Sequence, residues 1–177
     1  AWRERGGGLL HLTFNLFDGV LNRTDFDVAD RIEDKTIRSI NMVQIGRALT
    51  DPKLDPPLRA LVVYNSNPAV IAPSQNLVLE GLRREDLLTV VVEQLLTDTA
   101  RFADIVLPAT TSFEVDDVVA GYGSYWVQSA PAVIPPVGES RPNNEVAHGL
   151  AVRLGLDGDA FDPSPARLRE PMVGSFE

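Results

Sequence analysis

Three short stretches carry the side chains best suited to chemistry. In Asn65-Ser66-Asn67-Pro68, two amides, one hydroxyl and several backbone N–H groups fall in one turn. Such a turn can cradle a phosphate or the edge of a heterocycle. The same residues also form plain turns with no ligand. Glu93 stands at or just past the end of an apolar stretch, where dinucleotide-binding folds place an acid for the ribose. A carboxylate accepts two hydrogen bonds at once. It can therefore take vicinal ribose hydroxyls or the N–H edge of guanine, through charge-assisted bonds of about 1.5–3 kcal/mol each. A solvated acid at a loop start is the competing reading. Thr97-Asp98-Thr99 follows closely. The Thr97 hydroxyl could reach the same ligand, or Thr97 or Asp98 could cap a helical turn, and the two roles are compatible.

These residues need strands to place them. Residues 58–64, 87–92 and 105–107 are short apolar runs rich in β-branched side chains. They read as parallel strands, the first two buried on both faces. The first stops at Asn65, and the third is stopped by Pro108. Asn41 can cap a helix through Met42, Val43, Ile45, Ala48 and Leu49, closed by Asp51-Pro52. Ser74 can cap another through Leu77, Val78, Gly81 and Leu82. Strands alternating with helical segments predict an α/β fold with a Rossmann-like, three-layer parallel sheet. Right-handed crossovers point all strand ends to one edge, where ligands of such sheets bind.

Elsewhere the chain is less specific. Residues 1–40 read as a loosely structured lead-in, with Gly6-Gly7-Gly8 as a hinge and a short strand over 9–14. Residues 25–34 are acidic and read as surface. Residues 41–157 are expected to form the Rossmann-like binding domain, and 158–177 a Pro-rich tail. Residues 121–128 look strand-like. Tyr122, Tyr125 and Trp126 there could stack on a base, but their spacing better suits one strand packed on two faces. Asn143 or Asn144 starts an amphipathic helix carrying Val146, Leu150, Ala151 and Leu154, with Gly155 at its C′ position. Glu114, Asp116 and Asp117 read as a solvated acidic face in preference to a Mg²⁺ site. His11 and His148 read as a partly buried and a helix-surface histidine.

Composition removes whole classes of function. The 177 residues contain no Cys and two His, so no thiolate nucleophile, Cys-type zinc site or iron–sulfur cluster is ligated from this chain. Net charge is −9, which opposes non-specific nucleic-acid binding. No apolar run is long enough to span a bilayer. No secretory signal is visible. The compartment stays open, with a slight preference for the cytoplasm. There is no G-x-G-x-x-G after the first strand, no P-loop and no G-x-S-x-G elbow. The first residue is Ala1, which suggests a processed or truncated product or a piece of something longer.

Leu61-Val62-Val63-Tyr64-Asn65-Ser66-Asn67-Pro68, together with the run from Thr97-Asp98-Thr99-Ala100-Arg101-Phe102-Ala103-Asp104 through Ile105-Val106-Leu107-Pro108-Ala109-Thr110-Thr111, strongly resembles the molybdopterin oxidoreductase family. This dimethyl-sulfoxide-reductase-like group includes formate dehydrogenases, nitrate reductases and thiosulfate reductases. Residues 1–8, 36–49 and 138–145 fit it as well, and the similarity covers roughly residues 1–157. The resemblance implies one part of a large multidomain enzyme that binds molybdenum or tungsten through two molybdopterin guanine dinucleotides. It implies that Asn65, Ser66, Asn67 and Pro68 lie against one dinucleotide. It implies that Glu93, where many relatives have Asp, and Thr97 contact its guanosine, with Asp98 beside them. No catalytic residue and no metal ligand are expected within the chain. The family's Cys segment for a 4Fe-4S centre, the segment that ligates the metal and the C-terminal domain are absent, which implies an internal piece that is inactive alone. Its partners would be the rest of the parent enzyme and electron-transfer subunits. Exposed sheet edges would favour self-association. Two alternatives stay open: a free guanine-nucleotide-binding module, and a non-catalytic subunit that has lost the cofactor.

Overall fold

The computed structural model describes residues 38–120, 127–156 and 164. The expectations for residues 6–8, 9–14, His11, 25–34, 121–126 and most of the tail lie outside these. The described chain forms two compact units. One comprises residues 38–111 and 136–146, the other residues 112–120, 127–135 and 147–156.

The first unit begins at the expected cap. Asn41 Oδ1 accepts the Val43 N–H at 3.1 Å. A 3-10 turn, Met42–Gln44, then runs into helix α1, Ile45–Thr50, and Asp51 ends it in an extended conformation. Met42 and Val43 are exposed, and the buried face is made of Gly46, Ala48 and Leu49.

Strands β1 (Ala60–Tyr64), β2 (Leu88–Glu93) and β3 (Ile105–Pro108) form a parallel sheet in the order β1-β2-β3. Val62, Val90 and Ile105 are in register, as are Tyr64, Val92 and Leu107. This is the expected α/β arrangement. Strand β2, in the middle, buries Thr89, Val91 and Val92. Burial of β1 on both faces is not observed: Val63 is buried, whereas Val62 is 64% exposed and Tyr64 57%. The reason is position. Among the described residues, strand β1 has one neighbour, and both clusters of buried side chains lie on the face carrying Leu61, Val63 and Val91. β-Branched residues mark a strand but do not say whether it is central. Pro108 does not stop β3 before itself but is its last residue. Pairing then continues as a parallel bridge from Ala109 to Arg141, with the Arg141 N–H donating to the Pro108 carbonyl at 3.1 Å.

After β1 the turn runs on into a single-turn helix that the sequence pattern did not announce, α2 (Pro68–Ile71), with Pro68 at the position where a missing N–H costs nothing. Ser74 takes the N-cap place of α3 (Gln75–Leu82), at φ 59°, but its hydroxyl makes no capping bond. Ala69, Ala72, Val78 and Leu82 form the main cluster, with Ile45, Leu61, Leu79 and Phe102 packed against it. Val63, Val91 and Ala100 form the second.

Two polar features of this unit carry predictions. The Thr89 hydroxyl is buried without a hydrogen-bond partner among the described residues, although its backbone N–H donates to Asp104 Oδ2 at 2.7 Å. A buried unsatisfied hydroxyl costs about 1–3 kcal/mol. Thr89→Val, equal in shape, should therefore raise the thermal unfolding midpoint, and a lowered midpoint would contradict this. At the other end of the strands, Arg84 donates to the Leu49 carbonyl at 2.8 Å, to the Leu58 carbonyl at 3.2 Å and to both oxygens of Asp86. Arg59 also pairs with Asp86. The Arg84 hydrogen bond holds the Asp86 carboxyl below its usual range. A depressed carboxylate stabilises the fold above its ordinary pKa, and that contribution is lost as pH falls through the depressed value. Arg84→Met leaves two carbonyls without donors and should destabilise by about 1–3 kcal/mol, measured by denaturant unfolding at neutral pH. An unchanged midpoint would show that water replaces the guanidinium without cost.

The second unit contains an antiparallel pair, β4 (Asp117–Ala120) and β5 (Val127–Ala130), with Asp117 opposite Ala130 and Ala120 opposite Val127. The solvated reading of the acidic cluster fails at Glu114, which is buried, and Asp116 Oδ1 accepts the Ala132 N–H at 2.8 Å. Helix α4 (Asn143–Arg153) starts where expected, and Gly155 follows its end at φ 72°. Its apolar face differs from expectation. Leu150 and Leu154 are exposed, Ala151 is buried, and His148, read as a surface residue, is half-buried.

Candidate functional site

The site is built where the three parallel strands end. Because Tyr64 pairs with Val92, Asn65 and Glu93 leave adjacent strands at the same level, and Glu93 pairs in turn with Pro108. Neighbouring strands lie about 4.8 Å apart, so the three exits share one rim.

Side chains then stitch the exits together. Asn67 Oδ1 accepts from the Thr99 hydroxyl at 2.7 Å and from the Thr99 N–H at 3.2 Å. The same hydroxyl accepts the Ala69 N–H at 3.0 Å. Thr99 is wholly buried, so this bond network fixes the loop after β1 to the loop after β2. Gln94 Nε2 donates to the Thr110 carbonyl at 2.9 Å and ties the second loop to the chain beyond β3.

The expected site residues occupy this rim unequally. Asn65 is exposed at φ 50°, the left-handed region that Asn tolerates. Ser66 is half-buried. Neither side chain makes a hydrogen bond among the described residues. Glu93 is the last residue of β2, and its Oε1 accepts the Gln94 N–H at 2.8 Å. Its other oxygen is uncommitted among the described residues. Thr97 Oγ1 accepts the Ala100 N–H at 3.3 Å, but the N-cap place of the 3-10 turn Ala100–Phe102 falls to Thr99, whose side chain makes no capping bond to it, and not to Thr97 or Asp98 as expected. Asp98 is exposed. Pro68 is buried at the start of α2. Thr99 and Gln94 are the residues that spacing alone does not single out as connectors. Their partners lie 32 and 16 positions away, and only the sheet order brings them together.

A cleft of about 400 Å³ lies at the opposite end of the strands, lined by Leu49, Arg59, Glu80, Arg84 and Asp86 among others. It is larger than the apolar groove of about 180 Å³ beside β1, which reaches Tyr64 and Ser66. The larger cleft is the weaker candidate. Its arginines are already paired with Asp86, and Arg84 also holds backbone carbonyls. The rim, by contrast, combines amide and hydroxyl donors with carboxylate oxygens that are uncommitted among the described residues. That donor set suits a ligand with both acceptor oxygens and an N–H or hydroxyl edge. No cluster of three or more metal-ligating side chains occurs among the described residues. No helix there is long and apolar enough to cross a membrane.

The profile of the molybdopterin oxidoreductase family matches residues 37–153. The chain is 40% identical over 172 residues to the probable oxidoreductase YoaE of Bacillus subtilis, which covers 97% of this chain and 25% of that protein. It is 33% identical over 108 residues to trimethylamine-N-oxide reductase 1 of Escherichia coli, covering 60% of this chain and 12% of the reductase. Among solved structures, the acetylene hydratase from Pelobacter acetylenicus matches with a TM-score of 0.63 and 27% identity. That match covers 77% of this chain and 19% of the hydratase. The chain thus spans a quarter or less of each of these proteins.

Proposed function

The chain belongs to the molybdopterin oxidoreductase family, and we propose that it supplies the part of such an enzyme that holds the guanosine end of a molybdopterin guanine dinucleotide. The observation that carries this reading is the stitched rim. Asn67, Thr99, Glu93 and Gln94 bind three consecutive strand exits into one surface that offers donors and a carboxylate side by side.

The residues present fit that group. Glu93 takes the N–H edge of guanine or the ribose hydroxyls on its uncommitted oxygen. Asn65, Ser66 and Asn67 offer donors to acceptor oxygens. The Thr97 hydroxyl accepts the Ala100 N–H and braces the second loop, and Asp98 stands beside it. Residues 41–157 make up the binding domain in this reading. When bound, the cofactor supplies a molybdenum or tungsten ion at which oxygen atoms, or a hydride and electrons, are moved. The residues of this chain bind and orient, and none of them reacts. A 4Fe-4S centre, the ligand to the metal and the substrate funnel belong to other parts of the enzyme, as do the contacts to electron-transfer subunits. Two of the similar proteins are named for different reactions, a reduction and a hydration. That is consistent with a rim that holds a shared cofactor and leaves the substrate to other segments.

The test is analytical. Acid hydrolysis of the purified full-length protein should release GMP in a fixed ratio to bound molybdenum or tungsten. Metal and pterin without guanine nucleotide would refute the assignment.

A further inference from the structure

We infer that buried Thr99 sets the polarity of Asn67, so that Asn67 meets the ligand only as a hydrogen-bond donor and contacts an acceptor oxygen of the dinucleotide. This rests on the reading that the rim holds that cofactor.

The orientation of an Asn amide is usually ambiguous, because its oxygen and nitrogen look alike. Here the chemistry decides it. The atom facing the Thr99 backbone N–H, at 3.2 Å, must be the oxygen, since an N–H can only donate. The Thr99 hydroxyl adds a second donor to the same oxygen at 2.7 Å. That hydroxyl can donate its one proton to Asn67 because it accepts from Ala69, whose N–H lies 3.0 Å away. Each member therefore has one role: Ala69 donates to Thr99, and Thr99 donates to Asn67. With its oxygen occupied twice, Asn67 keeps only its NH₂ group, which makes no hydrogen bond among the described residues. Asn67 is half-buried on the rim, whereas Thr99 has no exposed surface. Thr99 is thus a positioning residue and Asn67 the contact.

Four substitutions in the full-length protein separate this from a merely structural role. Asn67→Asp keeps an oxygen for both Thr99 donors but removes the NH₂. Retained guanine nucleotide per mole of protein should fall by about tenfold or more, the equivalent of one lost hydrogen bond. The melting temperature of the cofactor-free protein should stay near wild type. Asn67→Ala, included in case the carboxylate disturbs folding, should lose retention to a similar degree. Thr99→Ser keeps the hydroxyl and should retain the nucleotide. Thr99→Val removes it and should lower retention. Wild-type retention in Asn67→Asp or Asn67→Ala overturns the inference, as does equal loss in Thr99→Ser and Thr99→Val. Glu93→Ala in the same series keeps the two levels apart. If Glu93→Ala loses nucleotide while both Asn67 variants keep it, the inference falls and the cofactor reading stands. If the wild-type protein holds no guanine nucleotide, both fall.

Discussion

Gly81→Ala is expected to destabilise the unit that carries the parallel sheet by about 1–3 kcal/mol, the usual cost of overpacking a core. Helices α1 and α3 approach each other at this position. A Cβ on Gly81 would overlap Leu49 Cβ and come within 3.0 Å of Leu49 Cδ1. Leu49 is 1% exposed and has little room to move. Ala for Gly inside a helix would otherwise gain about 0.5–1 kcal/mol, so the steric term outweighs propensity. Per kcal/mol, a unit of this size loses roughly 4–8 °C in its unfolding midpoint. Leu49→Ala alone should cost about 2–5 kcal/mol by leaving a cavity. The double variant should lose about the sum, because alanine at position 49 keeps the Cβ that the new methyl meets and so does not relieve the overlap. A neutral Gly81→Ala, or a full rescue of its loss by Leu49→Ala, would mean the helices can part without cost.

Glu93→Ala should have the larger effect on function. A carboxylate that accepts two hydrogen bonds from guanine or ribose contributes about 1.5–3 kcal/mol for each, so losing both lowers affinity by two orders of magnitude or more. Retained guanine nucleotide should then drop sharply during purification. Substrate preference should not change, because the rim holds the cofactor's far end. Glu93→Gln keeps one acceptor and should fall between the two. Among the described residues, Glu93 accepts from the Gln94 N–H alone, a bond near the surface. The cofactor-free stability of Glu93→Ala should therefore shift by less than about 0.5 kcal/mol. Wild-type nucleotide content in Glu93→Ala would remove the carboxylate from the site.

Much of the scaffold is legible in local pattern. Short β-branched runs mark β1 to β3, Asn41 marks a helix start, and Gly155 marks a helix end, because each is decided by neighbours within a few residues. Glu93 is locatable for the same reason, as the residue on which an apolar strand ends. What pattern does not carry is anything set by sheet order. Val62 and Tyr64 read as buried, yet β1 lies beside β2 alone, and one of its faces is open among the described residues. Leu150 and Leu154 have helical spacing but are exposed, while the smaller Ala151 is buried. Thr99 is the clearest case at the site. Its sequence suggests a turn residue, and its role comes from Asn67, which the parallel crossover brings within 2.7 Å.

A structure of the full-length protein with its cofactor bound tests the central claim most directly. The account predicts the guanine N–H edge or the ribose hydroxyls within about 2.7–3.1 Å of a Glu93 oxygen, with Asn67 donating to an acceptor oxygen of the same molecule. A dinucleotide lodged away from the ends of β1 and β2, for example in the cleft beside Arg84, would contradict it.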